Sequence, residues 1–305
     1  MSMNIPPRLF DRALLLARRR RALHGGAETF LLERAAEDLA ERLAAVNRRF
    51  ELAVDLGTPG DALAEALSAS GRIGALVTCE PLADLRPAGR LRVVADEEAL
   101  PFGDGKLDLV VSALALQWVN DLPGTLVQIR RALKADGLLL AALVGGETLV
   151  ELRECLAAAE AETAGGASPR IAPFAEVRAL GALLQRAGFA LPVADADRHV
   201  VRYATMLDLM RDLRRMGATN ALVERSRTPL KRATLARAAA LYAERFADRD
   251  GRIRATFEVI SLSGWAPHQS QQQPLRPGSA RTRLADALGV NERSAGEKAG
   301  PRGRA

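Results

Sequence analysis

The chain is poor in cysteine, histidine and aromatic residues, and each shortage removes a class of explanation. Among 305 residues there are 2 cysteines, Cys79 and Cys155. They lie far apart with no Cys-x-x-Cys spacing, which excludes a disulfide framework and a thiolate metal site and fits a reducing compartment. The 3 histidines, His24, His199 and His268, show no His-x-Asp or His-x-Glu pairing, so the common oxygen-activating iron site of two histidines and a carboxylate is not written here, and no metal is expected. No apolar run approaches the roughly 18 residues of a membrane span; residues 138–144 are typical, and their length suits a buried strand. An apolar signal core is missing near the start, where Arg18-Arg19-Arg20-Arg21 leads into Ala22-Leu23-His24-Gly25-Gly26. The expectation is an unsecreted, cytoplasmic protein, and Asp11 with the early helical periodicity argues against a transit peptide.

Basic charge is also scarcer than the net value of +6 suggests. Residues 1–23 hold six arginines and one aspartate, and residues 276–305 hold seven Lys or Arg against three acids, which leaves −3 for everything between. No continuous basic field exists to track phosphates, so nucleic acid is not an expected partner. The two basic ends read as solvated segments, suited to peripheral contact with an anionic membrane surface or an acidic partner.

What is present is an ordinary globular balance of 48% hydrophobic and 26% charged residues, far from the composition of disordered chains. Residues 6–48 carry two helical stripes, Leu9, Phe10, Ala13, Leu14, Ala17 and then Phe30, Leu31, Ala35, Leu39, Leu43, Val46, broken at Gly25-Gly26. Strand-length apolar runs follow at 52–56, 75–78, 92–95, 107–112 and 138–144, with helical patterns between them. Further helices are expected near 147–162, 174–187, 206–216 and 230–246, and two late strands at 192–201 and 254–263. Strands alternating with helices imply crossovers and parallel pairing, hence an α/β, doubly wound, mostly parallel seven-stranded sheet. The organisation read from this is an N-terminal helical segment over 1–48, a sheet domain over 49–268 with a helical insertion at about 203–250, and a loop and disordered basic tail over 269–305.

In such a sheet a ligand sits at the carboxyl ends of the strands, usually just after the first. Attention falls on Asp55-Leu56-Gly57-Thr58-Pro59-Gly60-Asp61. Gly57 allows a tight turn and close approach, Gly60 opens the next helix, and Asp55 is an acid suited to a cation; a plain strand-to-helix turn would use the same glycines. Glu80 ends the second strand, 23 residues beyond Gly57, the spacing at which dinucleotide-type folds put an acid on ribose hydroxyls. Asp96-Glu97-Glu98 ends the third. Any one of these is a surface acid by default, yet three at one rim repel each other unless a cation or ligand compensates. On the substrate side stand Gln117 and Trp118, the indole able to stack on a substrate or pack in the core. Glu147 lies in Gly145-Gly146-Glu147-Thr148, which could also just start a helix. Arg153 could take a carboxylate or be solvated, and His268 could cap its own loop or close over the pocket.

Asp55-Leu56-Gly57, Glu80, the segment 95–102, the segment 107–112 ending in Ser112, and Leu133-Lys134-Ala135-Asp136-Gly137-Leu138 together resemble the successive motifs of class I S-adenosylmethionine-dependent methyltransferases. Phe10-Asp11-Arg12, the segment 116–123, Gly145-Gly146-Glu147-Thr148-Leu149 with Glu151-Leu152-Arg153, and Gly264-Trp265-Ala266-Pro267-His268 resemble the methyltransferase-like respiratory complex I assembly factors, over about residues 8–280. The resemblance implies S-adenosylmethionine as cofactor, held by Asp55, Gly57, Gly60, Glu80, Asp96, Glu97 and Ser112. It implies a protein partner, a peripheral-arm subunit of complex I, with hydroxylation of an arginine as the activity. The malonyl-acyl-carrier-protein methyltransferases of biotin synthesis share the fold and a Gln-Trp segment like Gln117-Trp118.

The chain departs from the methyltransferase pattern in the glycine loop. Where that family has Gly-x-Gly-x-Gly, the aligned positions are Gly57, Pro59 and Asp61, with Gly60 out of register. Proline removes a backbone donor, and Asp61 adds a side chain where a cofactor approaches. Two alternatives therefore stay open beside the assembly enzyme: a small-molecule or carrier-protein methyltransferase, and a non-catalytic assembly chaperone that kept the fold. Arg211, Arg214 and Arg215 on the insertion are expected to belong to a docking surface for the protein partner.

Overall fold

The computed structural model describes residues 8–82, 89–272, 279 and 282–291, in two units, Met1–His268 and Gln269–Ala305. Helix α1 (Arg12–His24) begins where the Asp11 carboxylate accepts the Leu14 N–H at 3.0 Å, an N-cap that satisfies an otherwise orphaned donor. Gly26, at φ +78, turns the chain into α2 (Phe30–Ala45). Then follow β1 (Phe50–Leu56), α3 (Ala62–Ala69), β2 (Ile73–Cys79), β3 (Leu91–Val93), β4 (Leu107–Ala113), a 3₁₀ turn (Leu116–Trp118), α4 (Leu122–Ala132) and β5 (Leu133–Val144). The unit continues with α5 (Val150–Ala164), α6 (Val177–Arg186), β6 (Ala190–Tyr203), α7 (Met206–Arg215), α8 (Arg232–Phe246) and β7 (Ile253–Trp265).

The seven strands form one sheet in the order β3-β2-β1-β4-β5-β7-β6. The first five pair in parallel, and β7 runs antiparallel between β5 and β6. The central strands are apolar on both faces, as a sheet covered on both sides requires. Leu138, Leu140 and Ala142 of β5 face a core shared with α2, α3, α5, α7 and α8. Leu139, Ala141 and Leu143 face the opposite core, shared with α4 and α6. The doubly wound reading therefore holds, and the switch in strand order falls between β1 and β4, whose carboxyl ends make the rim on which Gly57 and Leu114 lie.

β5 and β6 start early through irregular pairing. β5 begins at Leu133, five residues before the apolar run, because Leu133 pairs with Leu107 and the register then shifts. The bulge is held by Lys134, whose Nζ donates to both Asp108 oxygens at 2.9 Å. β6 starts at Ala190, with Leu191 at φ +48 and a register shift before Val193. Bulges hide a strand from pattern reading because they carry turn-like residues inside the ladder.

In the second unit a one-turn helix, α9 (Leu284–Leu288), ends at Gly289 with φ +62, where composition alone suggests loop. Residues 1–7, 273–278, 280, 281 and 292–305 of the two basic ends lie outside the described residues.

Candidate active site at the strand ends

Gly57 leaves β1 at φ +71 with its N–H donating to the Cys79 carbonyl at 2.8 Å, which ties the ends of β1 and β2 together. Gly60, at φ +102, also needs glycine. Thr58, fully buried, accepts the Ala113 N–H on its Oγ1 at 2.9 Å, and Ser112 Oγ donates to the Leu56 carbonyl at 2.7 Å. These two hydroxyls stitch β1 to β4. Asp55 and Glu80 are both buried, and with Glu97 they act on the Cys79 thiol, which burial first and these carboxylates next push up to about 12.

The third acidic cluster is built differently from the expectation. Asp96 Oδ1 accepts from Arg12 Nη2 at 2.7 Å and from the Glu98 N–H at 2.8 Å. Glu97, only 1% exposed, takes a hydrogen bond from Arg12 Nη2 on Oε2 and stands 3.9 Å from Arg19 Nη1 through Oε1. Burial alone would lower the Arg12 pKa, but the Glu97 carboxylate and then Asp96 more than reverse this, so the guanidinium stays charged. Glu98 Oε1 accepts the N–H groups of Asn120 and, at 3.1 Å, Asp121. The cation that compensates this rim is therefore supplied by α1 of the same chain. Arg12, Arg19, Thr58 and Asn120 are the residues that sequence reasoning missed; Arg12 drew notice only within a family-like segment.

Glu97 also decides how the rim meets a ligand. A Cβ built on Gly57 would lie 2.5 Å from Glu97 Oε1, so the group using the close approach that this glycine permits is the Glu97 carboxylate. The cavity at the rim, about 150 Å³, is lined by Pro59, Gly60, Gln117, Trp118, Leu149 and Arg19 among others, and by none of Asp55, Gly57, Glu80 or Asp96. Small-molecule and cofactor sites commonly run from about 300 to 1,000 Å³. It is the Glu97 carboxylate in front of Gly57, and not the size of that cavity, that leaves no room for S-adenosylmethionine beside these side chains as they stand.

Gln117 is half-buried, and its buried Oε1 has no hydrogen-bond partner among the described residues. Trp118 packs edge-on against Phe10 at 5.3 Å and Phe174 at 5.6 Å, serving as core and as cavity wall. A second cavity of about 410 Å³ shares Trp118, Leu149 and Phe174 with the first and is bordered by Arg18, Arg170 and Arg214 over an apolar floor that includes Leu152 and Met210.

The remaining candidates are not gathered here. Exposed Glu147 pairs with Arg198 at 3.3 Å. Arg153 Nη2 donates to the carbonyls of Gly146 at 3.2 Å and Thr148 at 3.3 Å, bracing the turn into α5. His268 is exposed beyond β7. Because β7 is antiparallel, Trp265 pairs with Leu138 at the start of β5 and the Ala266 N–H donates to Gly137, which puts His268 at the opposite rim. On the insertion, Arg211 pairs with Asp208 at 2.6 Å and Arg215 with Glu28 at 3.3 Å, while Arg214 is exposed.

Among the described residues no group of three or more His, Cys, Asp or Glu could hold a metal ion, and no helix is long and apolar enough to cross a membrane. The methyltransferase domain family matches residues 54–141. The protein named arginine-hydroxylase NDUFAF5, mitochondrial, of Danio rerio is 42% identical over 264 residues, covering 84% of this chain and 81% of the relative. Its namesake in Homo sapiens is 40% identical over 268 residues, covering 86% and 77%. A solved chain from Bacillus halodurans superposes with a TM-score of 0.52 at 16% identity, over 76% of this chain and 99% of that one, a likeness of fold alone.

Proposed function

Because the chain belongs to the arginine-hydroxylase NDUFAF5 family, we propose that it acts on an arginine of a protein partner, a peripheral-arm subunit of respiratory complex I, during assembly of that enzyme. The observation that carries the reading is the buried, unpartnered Gln117 Oε1 in the wall of the rim cavity. A guanidinium has five N–H donors in one plane and no acceptor. Its pocket must supply acceptors and flat apolar walls, because an unmatched buried donor costs about 1–3 kcal/mol. Gln117 offers the acceptor, Trp118 and Phe174 the walls, and Glu28 a carboxylate on the lining. The residues of this chain bind, orient and exclude water around the guanidinium.

The fold is of the kind that holds S-adenosylmethionine; Gly57, Gly60, Glu80 and Asp96 are the residues proposed to line the place where such a fold seats it, with Asp55 and Ser112 supporting the strand ends. Glu97 stands in front of them. The place of action proposed is cytoplasmic, at the inner face of the membrane; the relatives are named mitochondrial. Affinity capture from cells, with complex I followed on native gels in a strain lacking the protein, tests the reading. The expected result is a captured peripheral-arm subunit and incompletely assembled complex I, with capture weakened about tenfold or more by Gln117→Leu, the effect of losing about 1.4 kcal/mol. Normal complex I together with capture of an acyl carrier protein would move the assignment to a carrier-protein methyltransferase.

A further inference from the structure

We propose that Glu97 is a built-in occupant of the cofactor slot: gripped by Arg12 and Arg19 of α1, it fills the space in front of Gly57 and closes the slot to S-adenosylmethionine. Three observations converge on it. The first is steric, since the Glu97 carboxylate lies where even a methyl group on Gly57 would collide, 2.5 Å away. A cofactor seated against that glycine and this carboxylate cannot share the space.

The second is electrostatic. Glu97 is 1% exposed and meets two arginines that are themselves largely buried, with side-chain exposures of 14% for Arg12 and 8% for Arg19. Swinging Glu97 out would take a buried counter-charge from both arginines, although Arg12 keeps Asp96, and removing one partner of a buried pair is costly. S-adenosylmethionine carries one carboxylate beside its sulfonium and ammonium, so it could serve these arginines only by seating that carboxylate where Glu97 now lies. Arg12 and Arg19 thus already have a carboxylate of this chain as their partner.

The third is the loop. Pro59 offers no N–H, and the Asp61 carboxylate, 3.5 Å from Arg92 Nη2, adds a charged side chain to the turn, so the turn has one backbone donor fewer and one acid more to set against a cofactor. Loop and occupant are separate features of the sequence, and both act against cofactor. The inference does not depend on the arginine-substrate reading, which uses the cavity beside Gln117.

Calorimetry with S-adenosylmethionine on the full chain, with mass spectrometry for cofactor that co-purifies, tests it. The wild type is expected to give no heat at millimolar cofactor and to purify without it. Glu97→Ala, which vacates the slot, should gain affinity by about tenfold or more, a change of at least about 1.4 kcal/mol. Glu97→Asp keeps a carboxylate for Arg12 yet withdraws it by one methylene; it should give a smaller gain, and it preserves the test if Glu97→Ala fails to fold. A micromolar wild-type Kd, or a cooperatively melting variant that binds no better than wild type, overturns the proposal.

Discussion

Asn120 holds Phe10 by both of its backbone polar groups: its Oδ1 accepts the Phe10 N–H at 2.7 Å and its Nδ2 donates to the Phe10 carbonyl at 3.2 Å, across 110 residues of sequence. The Asp11 N–H donates to the Ala221 carbonyl at 2.8 Å, and the Val223 N–H to Leu9 at 2.9 Å. The lead-in to α1 is thereby bridged to the insertion after β6 and to the loop after β4. Asn120→Ala removes two hydrogen bonds and leaves a half-buried donor and acceptor unmatched, so it should destabilise the protein by about 1–3 kcal/mol. Denaturant titration measures the loss, and hydrogen exchange should localise it to residues 9–15. Unchanged exchange there would show that the segment is held without Asn120.

Glu160 gives a prediction in pH. Burial pushes its carboxyl up, but hydrogen bonds from Arg170 and Ser168 outweigh that and hold it below 4.5. The contacts are Arg170 Nε at 3.1 Å, the Ser168 N–H at 3.0 Å and the Ser168 hydroxyl at 3.2 Å. A carboxyl with a depressed folded pKa contributes stability that is in place above its unfolded value and is lost as pH falls through the folded one. Glu160→Gln should therefore cost about 1.5–3 kcal/mol at neutral pH, with the difference from wild type shrinking below pH 4.5. Thermal melts from pH 3 to 7 check this; a constant offset across that range would mean that the charge plays no part.

Both thiols should be silent in the native state. Cys79 and Cys155 are fully buried, and burial is the leading cause that pushes their pKa values up to about 12 and about 11. Only the thiolate reacts quickly with alkylating agents or disulfide reagents. At pH 8 the native protein should show no fast-reacting thiol and the denatured chain 2; a fast native thiol would show that the packing around Cys79 or Cys155 opens readily.

The fold was legible because its signals are local. β1, β4 and β5 announce themselves as short runs apolar on both faces, and Asp11 as an acid placed to cap a helix. Glu97 shows where such reading stops. As an acid at a strand end it counts as a cofactor contact, but its meaning depends on Arg12, 85 residues earlier, and on which way its side chain turns. His268 fails for another reason. The residues of β7 alternate equally well in either direction, and only pairing with β5 and β6 shows that its end faces away from the site. Strand polarity is a property of the assembled sheet.

The bridging of Leu9, Phe10 and Asp11 also sets an order of events during synthesis. Helix α1 leaves the ribosome before any strand, yet its anchors at Asn120 and at Ala221 and Leu222 are made only much later. Closing a long loop has an entropic cost that must be met before its contacts repay it. The helix that carries Arg12 and Arg19 therefore gains its last anchors only once β6 and residues 221–223 have been made, with β7 still to come. The grip of Arg12 and Arg19 on Glu97 is therefore secured by contacts made more than 100 residues after Glu97 itself.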